Sequence, residues 1–111
     1  MVLFNHMVEQ SLVLDSIFKS LADSTRRDIL RRVAQSEHTI SALAESYKMS
    51  FAGIAKHIAV LESAMLVVKR KEGREQIVSA NPNTIDVAVS YLEQYQAVWN
   101  NRFDALDKYL K

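Results

Sequence analysis

Four basic side chains crowd into a short stretch near the middle of the chain: Lys69, Arg70, Lys71 and Arg74. The whole chain has a formal net charge of only +1, so the position of these charges says more than their total. A local cluster of ammonium and guanidinium groups is suited to bind the phosphates of nucleic acid. The alternative for the same cluster is a solvated, charged loop without a binding role.

A second pair of candidate side chains, Lys56 and His57, lies in a segment whose apolar spacing predicts a helix. Neighbouring positions on a helix point in different directions, so these two side chains cannot both face a core. On an exposed helix face, lysine and histidine donate hydrogen bonds to phosphates or to base edges in the major groove of DNA. Two solvated side chains are the alternative.

Metal and catalytic chemistry find little support in the sequence. The chain contains no cysteine, so it cannot form a thiolate metal site or a disulfide. Its histidines, His6, His38 and His57, are too scattered to chelate at helical spacing, and only a hard-cation site built from carboxylates stays open. Neither a nucleophile turn nor a glycine-rich phosphate loop is present. We therefore expect no enzyme, no metal and no cofactor.

The elements that carry the basic residues follow from the spacing of apolar and capping residues. We expect a first helix over about 11–21, a second after the N-cap Asp23, and a third begun by Thr39 or Ser41. Ser36–Thr39 is polar and predicts a break between the second and third helices. The positions expected to be buried from the second helix onward are Ile29, Leu30, Val33, Ile40, Leu43, Ala44, Ile54, Ile58 and Leu61.

A fourth helix should begin after Ser50, a good N-cap, and continue to about Ser63. It would be joined to the third helix by a tight connection over 47–50. Two helices joined in this way form a helix-turn-helix unit, which we place at about 40–63. The same pattern arises by chance in many helical proteins, so alone it does not establish DNA binding.

The segment after the fourth helix changes in character. Residues 66–71 and 75–80 are β-prone, and 72–74, with Gly73, supplies a turn between them. These residues predict a basic β-hairpin, or wing, at about 66–80. A helix-turn-helix followed by a basic wing favours DNA binding, because an unrelated helical bundle has no need of the hairpin.

The last helix, expected over about 83–110, carries a row of apolar residues at intervals of four and three. This spacing is typical of the seam of a coiled coil. The helix has more apolar surface than so small a domain can cover, so we expect a homodimer. The seam consists of Ile85, Val89, Leu92, Gln96, Trp99, Phe103, Leu106 and Leu110, of which Leu92, Trp99, Phe103, Leu106 and Leu110 are predicted to carry dimerisation.

Gln96 is the polar member of this seam, and two roles stay open for it. It sets the register of the dimer, as polar seam residues do. Alternatively, Gln96 lines a pocket for a small-molecule effector between the two long helices of the dimer, together with Tyr91, Tyr95 and Trp99, which surround it at helical spacing.

Length and composition are those of one compact domain, which we expect to span 1–111. Two glycines and one proline in the chain favour a mainly α fold with a small β-hairpin. No stretch approaches the roughly 18 apolar residues that a membrane helix needs. The first ten residues also lack the basic region and cleavage site of a signal peptide. We expect a cytoplasmic protein without a membrane partner.

Three motifs in order along the chain resemble the ArsR/SmtB family of bacterial transcription regulators. Residues 18–30 read F-K-S-L-A-D-S-T-R-R-D-I-L, which looks like the family's F-K-A-L-A-D-P-T-R-R-x-I-L. Residues 49–64 are similar to its recognition segment L-S-x-P-A-V-S-x-H-L-x-V-L-x-x-A, and Gly73-Arg74 matches its wing turn. The ending at 99–106 looks like a metal-independent branch of the family.

The resemblance implies a winged helix-turn-helix, dimeric through its terminal helices, that represses transcription by binding double-stranded operator DNA. A winged-helix protein-interaction module is the alternative, disfavoured because basic residues outnumber acidic ones on the fourth helix and wing. Ser50 is expected to cap the recognition helix more than to read bases. The predicted DNA-binding residues are Ser50, Phe51, Gly53, Lys56 and His57 on the recognition helix and Arg70, Lys71 and Arg74 on the wing.

The resemblance also bears on regulation. The family's metal sensors use cysteines on the third helix or Asp, His and Glu on the last helix. In this chain the residues corresponding to those cysteines read Thr39-Ile40-Ser41, which contain no thiol. The last helix has no histidine. Release from DNA is therefore expected to depend on an unidentified small molecule or partner protein, or on the protein's own abundance.

Some positions depart from the family pattern or have an open role. Ser24 and Ala52 replace prolines at helix starts, where the missing N–H of proline is not needed. Met65 replaces a glycine just past the recognition helix, where a left-handed backbone is common. Arg26 and Arg27 are expected to be structural ion-pair partners or phosphate neighbours and not base readers.

Overall fold

The computed structural model describes residues 2–110, with side chains described from residue 11 to residue 110. Five helices and three short strands form a winged helix-turn-helix, as predicted. The strands make an antiparallel sheet in the order β1-β3-β2. Along the chain the elements are α1 (Val2–Ser20), α2 (Ser24–Gln35), β1 (His38–Thr39), α3 (Ile40–Tyr47), α4 (Phe51–Ser63), β2 (Val67–Glu72), β3 (Glu75–Ala80) and α5 (Pro82–Leu110).

Side-chain caps fix the starts of α2, α3 and α4. Asp23 accepts a hydrogen bond from the backbone N–H of Arg26 at 3.0 Å. Thr39 and Ser50 accept the corresponding bonds at the starts of α3 and α4, at 3.1 and 3.0 Å. Each cap satisfies an N–H that has no partner within its own helix. The predicted caps at Asp23 and Ser50 are confirmed, and Thr39 is chosen over Ser41.

The core lies where α1, α2, α3 and α4 meet the base of the hairpin. Predicted inward positions are buried, except Leu30, which is half-buried and packs against the core. Leu66 and Val67 anchor the start of the wing and are almost fully buried. Because one face of α4 is buried in this core, its opposite face is left to solvent. The core residues are Ile17, Ile29, Val33, Ile40, Leu43, Ala44, Ile54, Ile58, Leu61, Ala64, Leu66, Val67, Val78 and Ala88.

The sheet corrects two details of the predicted organisation. The polar break expected at Ser36–Thr39 contains the strand β1, in which His38 pairs with Val78 of the wing. The wing turn is also shorter than predicted, since Glu72 and Glu75 pair across it and leave two residues at the tip. Backbone pairing of β1 was hidden from the sequence because a two-residue strand has no periodicity to detect. It ties the wing to the start of α3.

Met65, which lies just past the end of α4, has the left-handed backbone conformation expected at this position. Met65 has a φ of 62°, in the left-handed region where the family pattern has glycine. A side chain in this region costs about 1 kcal/mol, and the surrounding fold tolerates it. Lys48, which ends α3, has a φ of 53° for the same geometric reason. These two turns set the direction in which α4 enters and leaves the core.

A polar cluster joins α2 to the end of α3. The Asp28 carboxylate accepts hydrogen bonds from the Tyr47 hydroxyl and from Arg31, the latter at 2.6 Å. Arg32 also donates to Asp28, and its guanidinium lies 4.6 Å from the centre of the Tyr47 ring. The bond from Tyr47, followed by that from Arg31, lowers the pKa of Asp28 from 3.8 to about 2. Burial and the bond to Asp28 raise the pKa of Tyr47 to about 12.

These pKa shifts predict the pH range in which the cluster stabilises the fold. Because the pKa of Asp28 is lowered, its contribution is present above about pH 4 and is lost as the pH falls toward 2. Because the pKa of Tyr47 is raised, its contribution is present below pH 10 and is lost as the pH rises toward 12. The mutation Tyr47→Phe should lower the melting temperature between pH 4 and 10 by a few degrees.

Thermal unfolding followed by circular dichroism across this range is the measurement. The decline in stability from pH 4 to pH 2 should also be shallower in Tyr47→Phe. Tyr109→Phe is the matched control, since that ring is 87% exposed near the end of α5. Equal melting temperatures for Tyr47→Phe and the wild type at pH 7 would show that the cluster does not stabilise the fold.

Helix α5 packs on the core only through its first part. Thr84 and Ala88 are buried, and the ring of Tyr91 lies 6.0 Å from that of Phe18 on α1. Residues 92–110 are exposed along their whole length. Across residues 2–110, no helix has the length and apolar character required to cross a membrane.

Candidate nucleic-acid interface

The exposed face of α4 is the first component of the candidate interface. Ile54, Ile58 and Leu61 turn the other face into the core. Lys56 lies near the middle of the exposed face, and Phe51 lies at its N-terminal end with 51% of its surface accessible. In helix-turn-helix proteins that bind DNA, the second helix of the motif enters the major groove with its N-terminal residues on the base edges.

Ser50 and Gly53 build the start of α4. The side-chain oxygen of Ser50 accepts a hydrogen bond from the backbone N–H of Gly53, as expected of a cap. A Cβ on Gly53 would lie 3.2 Å from that oxygen, so glycine allows the cap a close approach. Gly53 is half-buried. Both residues therefore shape the helix start, and their predicted contact with DNA stays a prediction.

His57 lies beside the connection between α1 and α2. Its Nδ1 is 3.4 Å from Nη1 of Arg26 and 4.0 Å from a carboxylate oxygen of Asp23. Only 20% of the side chain is accessible. The predicted base contact of His57 stays a prediction, while its packing against α2 is a role that sequence reasoning missed.

Arg26 and Arg27 hold the end of α1. Arg26 donates from Nε to the carbonyl of Ser20 at 2.6 Å, and Arg27 donates to the carbonyl of Leu21 at 2.7 Å. Cations at a helix C-terminus satisfy its free carbonyls. The hydrogen bond from the Arg26 backbone is also the main cause that lowers the pKa of Asp23. Both arginines therefore have a structural role through these carbonyl oxygens, whereas the structural role expected of them was in an ion pair.

The wing is the second component. Its side chains alternate between two faces, so Lys69 and Lys71 share a face with the buried Val67. Lys69 reaches α4, where its Nζ lies 3.5 Å from a carboxylate oxygen of Glu62. Arg74 lies at the exposed tip of the hairpin. Among the described side chains, no carboxylate lies within ion-pair distance of Lys56, Lys71 or Arg74.

Arg70 occupies the opposite face of the hairpin and is held by Glu37. Both terminal nitrogens of its guanidinium donate to the Glu37 carboxylate, one of them at 3.0 Å. Ser79 donates to the same carboxylate at 2.8 Å. The bond from Arg70, followed by that from Ser79, lowers the pKa of Glu37 to about 2. Much of the Arg70 charge is thereby balanced within the protein.

Comparison with known proteins places this geometry in a family. A scan against protein-family models finds no match. The chain is 39% identical over 74 residues to the HTH-type transcriptional regulator YuzN of Bacillus subtilis, covering 60% of this chain and 80% of that protein. An ArsR-like transcriptional regulator from Rhodococcus sp. RHA1 has a similar solved structure, with 32% identity and a TM-score of 0.73 over 88% of this chain and 92% of that chain.

The chain belongs to the ArsR family of transcriptional regulators. A further relative is the transcriptional repressor SdpR of Bacillus subtilis, 24% identical over 79 residues, which are 71% of this chain and 88% of that protein. The predicted family resemblance is confirmed. These relatives are named as regulators and not as enzymes, and the ArsR-family chain is a DNA-binding regulator of transcription.

The structure of this ArsR-family regulator bears on two routes of control. Among the described residues, no group of three or more His, Cys, Asp or Glu side chains is placed to hold a metal ion. His6 lies outside the described side chains. A groove of about 610 Å³ runs between α1 and α5, and of the four residues predicted to line an effector pocket it includes Tyr91 alone. The pocket predicted around Gln96, Tyr95 and Trp99 lies between the long helices of two chains, so it stays a prediction.

Proposed function

We propose that this ArsR-family regulator is a sequence-specific repressor that binds an imperfectly palindromic operator as a homodimer. The observation that carries DNA binding is the placement of Lys56 on the free face of α4, beside a wing whose Lys71 and Arg74 have no carboxylate partner among the described side chains. Exposed basic groups left without internal partners are suited to bind phosphates and base edges.

The homodimer is supported by the seam on α5. Leu92, Trp99, Phe103, Leu106 and Leu110 are each between 52% and 74% exposed in the single chain. The rings of Trp99 and Phe103 stack on each other at 5.9 Å without burying either one. A contiguous apolar surface of this kind is costly in water. A second copy related by a two-fold axis covers the same surface on both chains, with the spacing of a coiled-coil seam.

The exposed apolar residues of α1 extend the proposed interface. Leu12 is 61% exposed. Phe18, whose ring contacts that of Tyr91 on α5, is 39% exposed. Burial of α1 and α5 together would make the dimer depend on both terminal helices. Gln96, within the seam, then sets the register in which the two α5 helices meet.

A two-fold symmetric dimer predicts the form of its operator. The two recognition helices would enter major grooves on the same side of the DNA, which are one helical turn apart. Half-sites should therefore be inverted and centred about 10 bp apart, or a multiple of that distance. Repression is supported by the name of SdpR, a transcriptional repressor. A dimer bound across a promoter would exclude RNA polymerase.

A mobility-shift assay on the DNA upstream of the gene tests the proposal against its alternative. The repressor is expected to shift this fragment in excess competitor DNA, with two chains bound per site. A winged-helix module that binds proteins alone would shift neither this fragment nor any selected sequence at physiological salt.

The wing should contribute through the phosphates. DNA binding is expected to be strongly salt-dependent, because basic groups on two wings and two recognition helices release counterions. Arg74→Ala should weaken binding to all sequences alike. It should also reduce the steepness of the slope of log affinity against log salt concentration by about one for each phosphate that Arg74 neutralises. Arg70→Ala should have a smaller effect, since Glu37 already balances the charge of Arg70.

Titrations by fluorescence anisotropy at several salt concentrations measure both effects. Lys108→Ala, an exposed position on α5, removes a positive charge far from the wing and serves as the control. Unchanged affinity and slope for Arg74→Ala would remove the wing tip from the interface. A loss for Arg70→Ala as large as that for Arg74→Ala would show that Arg70 leaves Glu37 when DNA binds.

A further inference from the structure

The free face of α4 offers few hydrogen bonds. Ala52, Lys56, Ala59 and Ser63 are exposed and spaced so that they share one side of the helix. The Ser63 hydroxyl donates to the carbonyl of Ala59 at 2.9 Å, so it is already used within the helix. On this side of α4, Lys56 is the residue whose side chain has hydrogen-bond donors that are not already paired with another described residue. Apart from the Ser63 hydroxyl, whose proton is already donated, the remaining side-chain surface on this side consists of the methyl groups of Ala52 and Ala59.

The N-terminal end of the same helix is also apolar. Phe51 exposes half of its surface at the first helical position, and Met49, two residues before it, is 36% exposed. Ser50, which lies between them, points its oxygen back at the helix as a cap. The part of α4 that would enter a groove most deeply therefore presents an aromatic ring and small methyl groups.

The bases differ in what they offer to such a surface. In the major groove, adenine, guanine and cytosine present hydrogen-bond donors and acceptors, whereas thymine adds a 5-methyl group. Alanine and phenylalanine contact that methyl group, and they gain from its burial. A recognition helix whose N-terminal turn has no free polar side chain discriminates between bases mainly by this apolar contact.

We propose that this regulator recognises its half-sites through thymine methyl groups, contacted by Phe51 and Ala52, with Lys56 supplying the hydrogen bonds. The proposal rests on the proposed function, because it assumes that α4 lies in the major groove. It makes Phe51 a determinant of specificity, and it assigns to each half-site at least one thymine opposite the N-terminal turn of α4.

Replacement of thymine by uracil is the sharpest test, since it removes the methyl group and leaves base pairing unchanged. The operator is first obtained by selecting bound fragments from random DNA with the purified full chain. Each thymine of the half-sites is then replaced by uracil in both half-sites of a synthetic duplex. At the contacted position, affinity of the wild type should fall about fourfold for each methyl group removed, or about 15-fold for the pair.

Phe51→Ala provides the second arm of the test. This variant should bind the thymine operator more weakly, and its preference for thymine over uracil should shrink at one position at least. Its fold is checked by circular dichroism, and the exposed ring makes unfolding unexpected. Lys56→Ala is the matched comparison: it should weaken binding to thymine and uracil duplexes equally. Uracil outside the half-sites should have no effect.

The outcomes separate this inference from the proposed function. Enrichment of a defined sequence that binds equally well with uracil throughout would overturn methyl recognition and leave the operator-binding function intact. Methyl recognition by this turn is also overturned if Phe51→Ala and Ala52→Gly both keep the full thymine preference at every position. Selection that enriches no sequence would contradict the proposed function, and methyl recognition with it.

Discussion

Replacing Phe103 with aspartate is expected to convert the dimer into monomers and to lower operator affinity by about 10²–10⁴-fold. Phe103 lies in the α5 seam with 61% of its surface exposed in the single chain. In a dimer, each copy of the variant would place a carboxylate inside an apolar contact, where an unpaired charge is costly. Loss of dimerisation then removes the advantage of binding two half-sites at once.

Light scattering coupled to gel filtration measures the mass, and fluorescence anisotropy measures the affinity. Asn101→Asp is the matched control, because it adds the same charge on the polar face of α5 two residues away. The control should remain a dimer with wild-type affinity. A wild-type protein with the mass of one chain at micromolar concentration would contradict the dimer, as would full operator binding by monomeric Phe103→Asp.

Reversal of charge at Lys56 is expected to have the second large effect. Lys56→Glu would put a carboxylate on the free face of α4 in both chains of the dimer, against DNA that is itself negatively charged. A single good contact to a base is worth about 1–3 kcal/mol, and each dimer would lose two, so affinity should fall at least about 30-fold. Lys56 is exposed, so the fold should be unaffected.

Circular dichroism and the mass of the dimer establish that Lys56→Glu is folded. Lys108→Glu makes the same charge change on an exposed position of α5 and should bind like the wild type. If both variants lose affinity to the same small extent, net charge alone explains binding, and α4 does not lie in the groove.

Local chemistry explains which parts of the fold could be predicted from the sequence. Asp23 and Ser50 act on N–H groups three residues away, so their capping role is visible in a short window. The periodicity of α5 likewise identifies its apolar seam without knowledge of the rest of the molecule. The wing was also predictable, because β-prone segments flank a turn that contains Gly73.

Contacts between distant segments explain what could not be predicted. Glu37 lies 33 residues before Arg70, and nothing in either neighbourhood indicates that they pair. The position of His57 in the motif predicts a DNA contact, whereas its contact with Arg26 depends on how α2 and α4 pack. The groove between α1 and α5 depends on the same kind of packing, so its lining could not be read from the sequence.

The sequence of DNA fragments selected by the purified wild-type protein tests the central claim most directly. The account predicts enrichment of two inverted half-sites centred about 10 bp apart, or a multiple of that distance. Each half-site should contain thymine where the N-terminal turn of α4 would lie. Enrichment of a single asymmetric element would contradict a symmetric dimer on DNA, and no enrichment at physiological salt would contradict sequence-specific binding altogether.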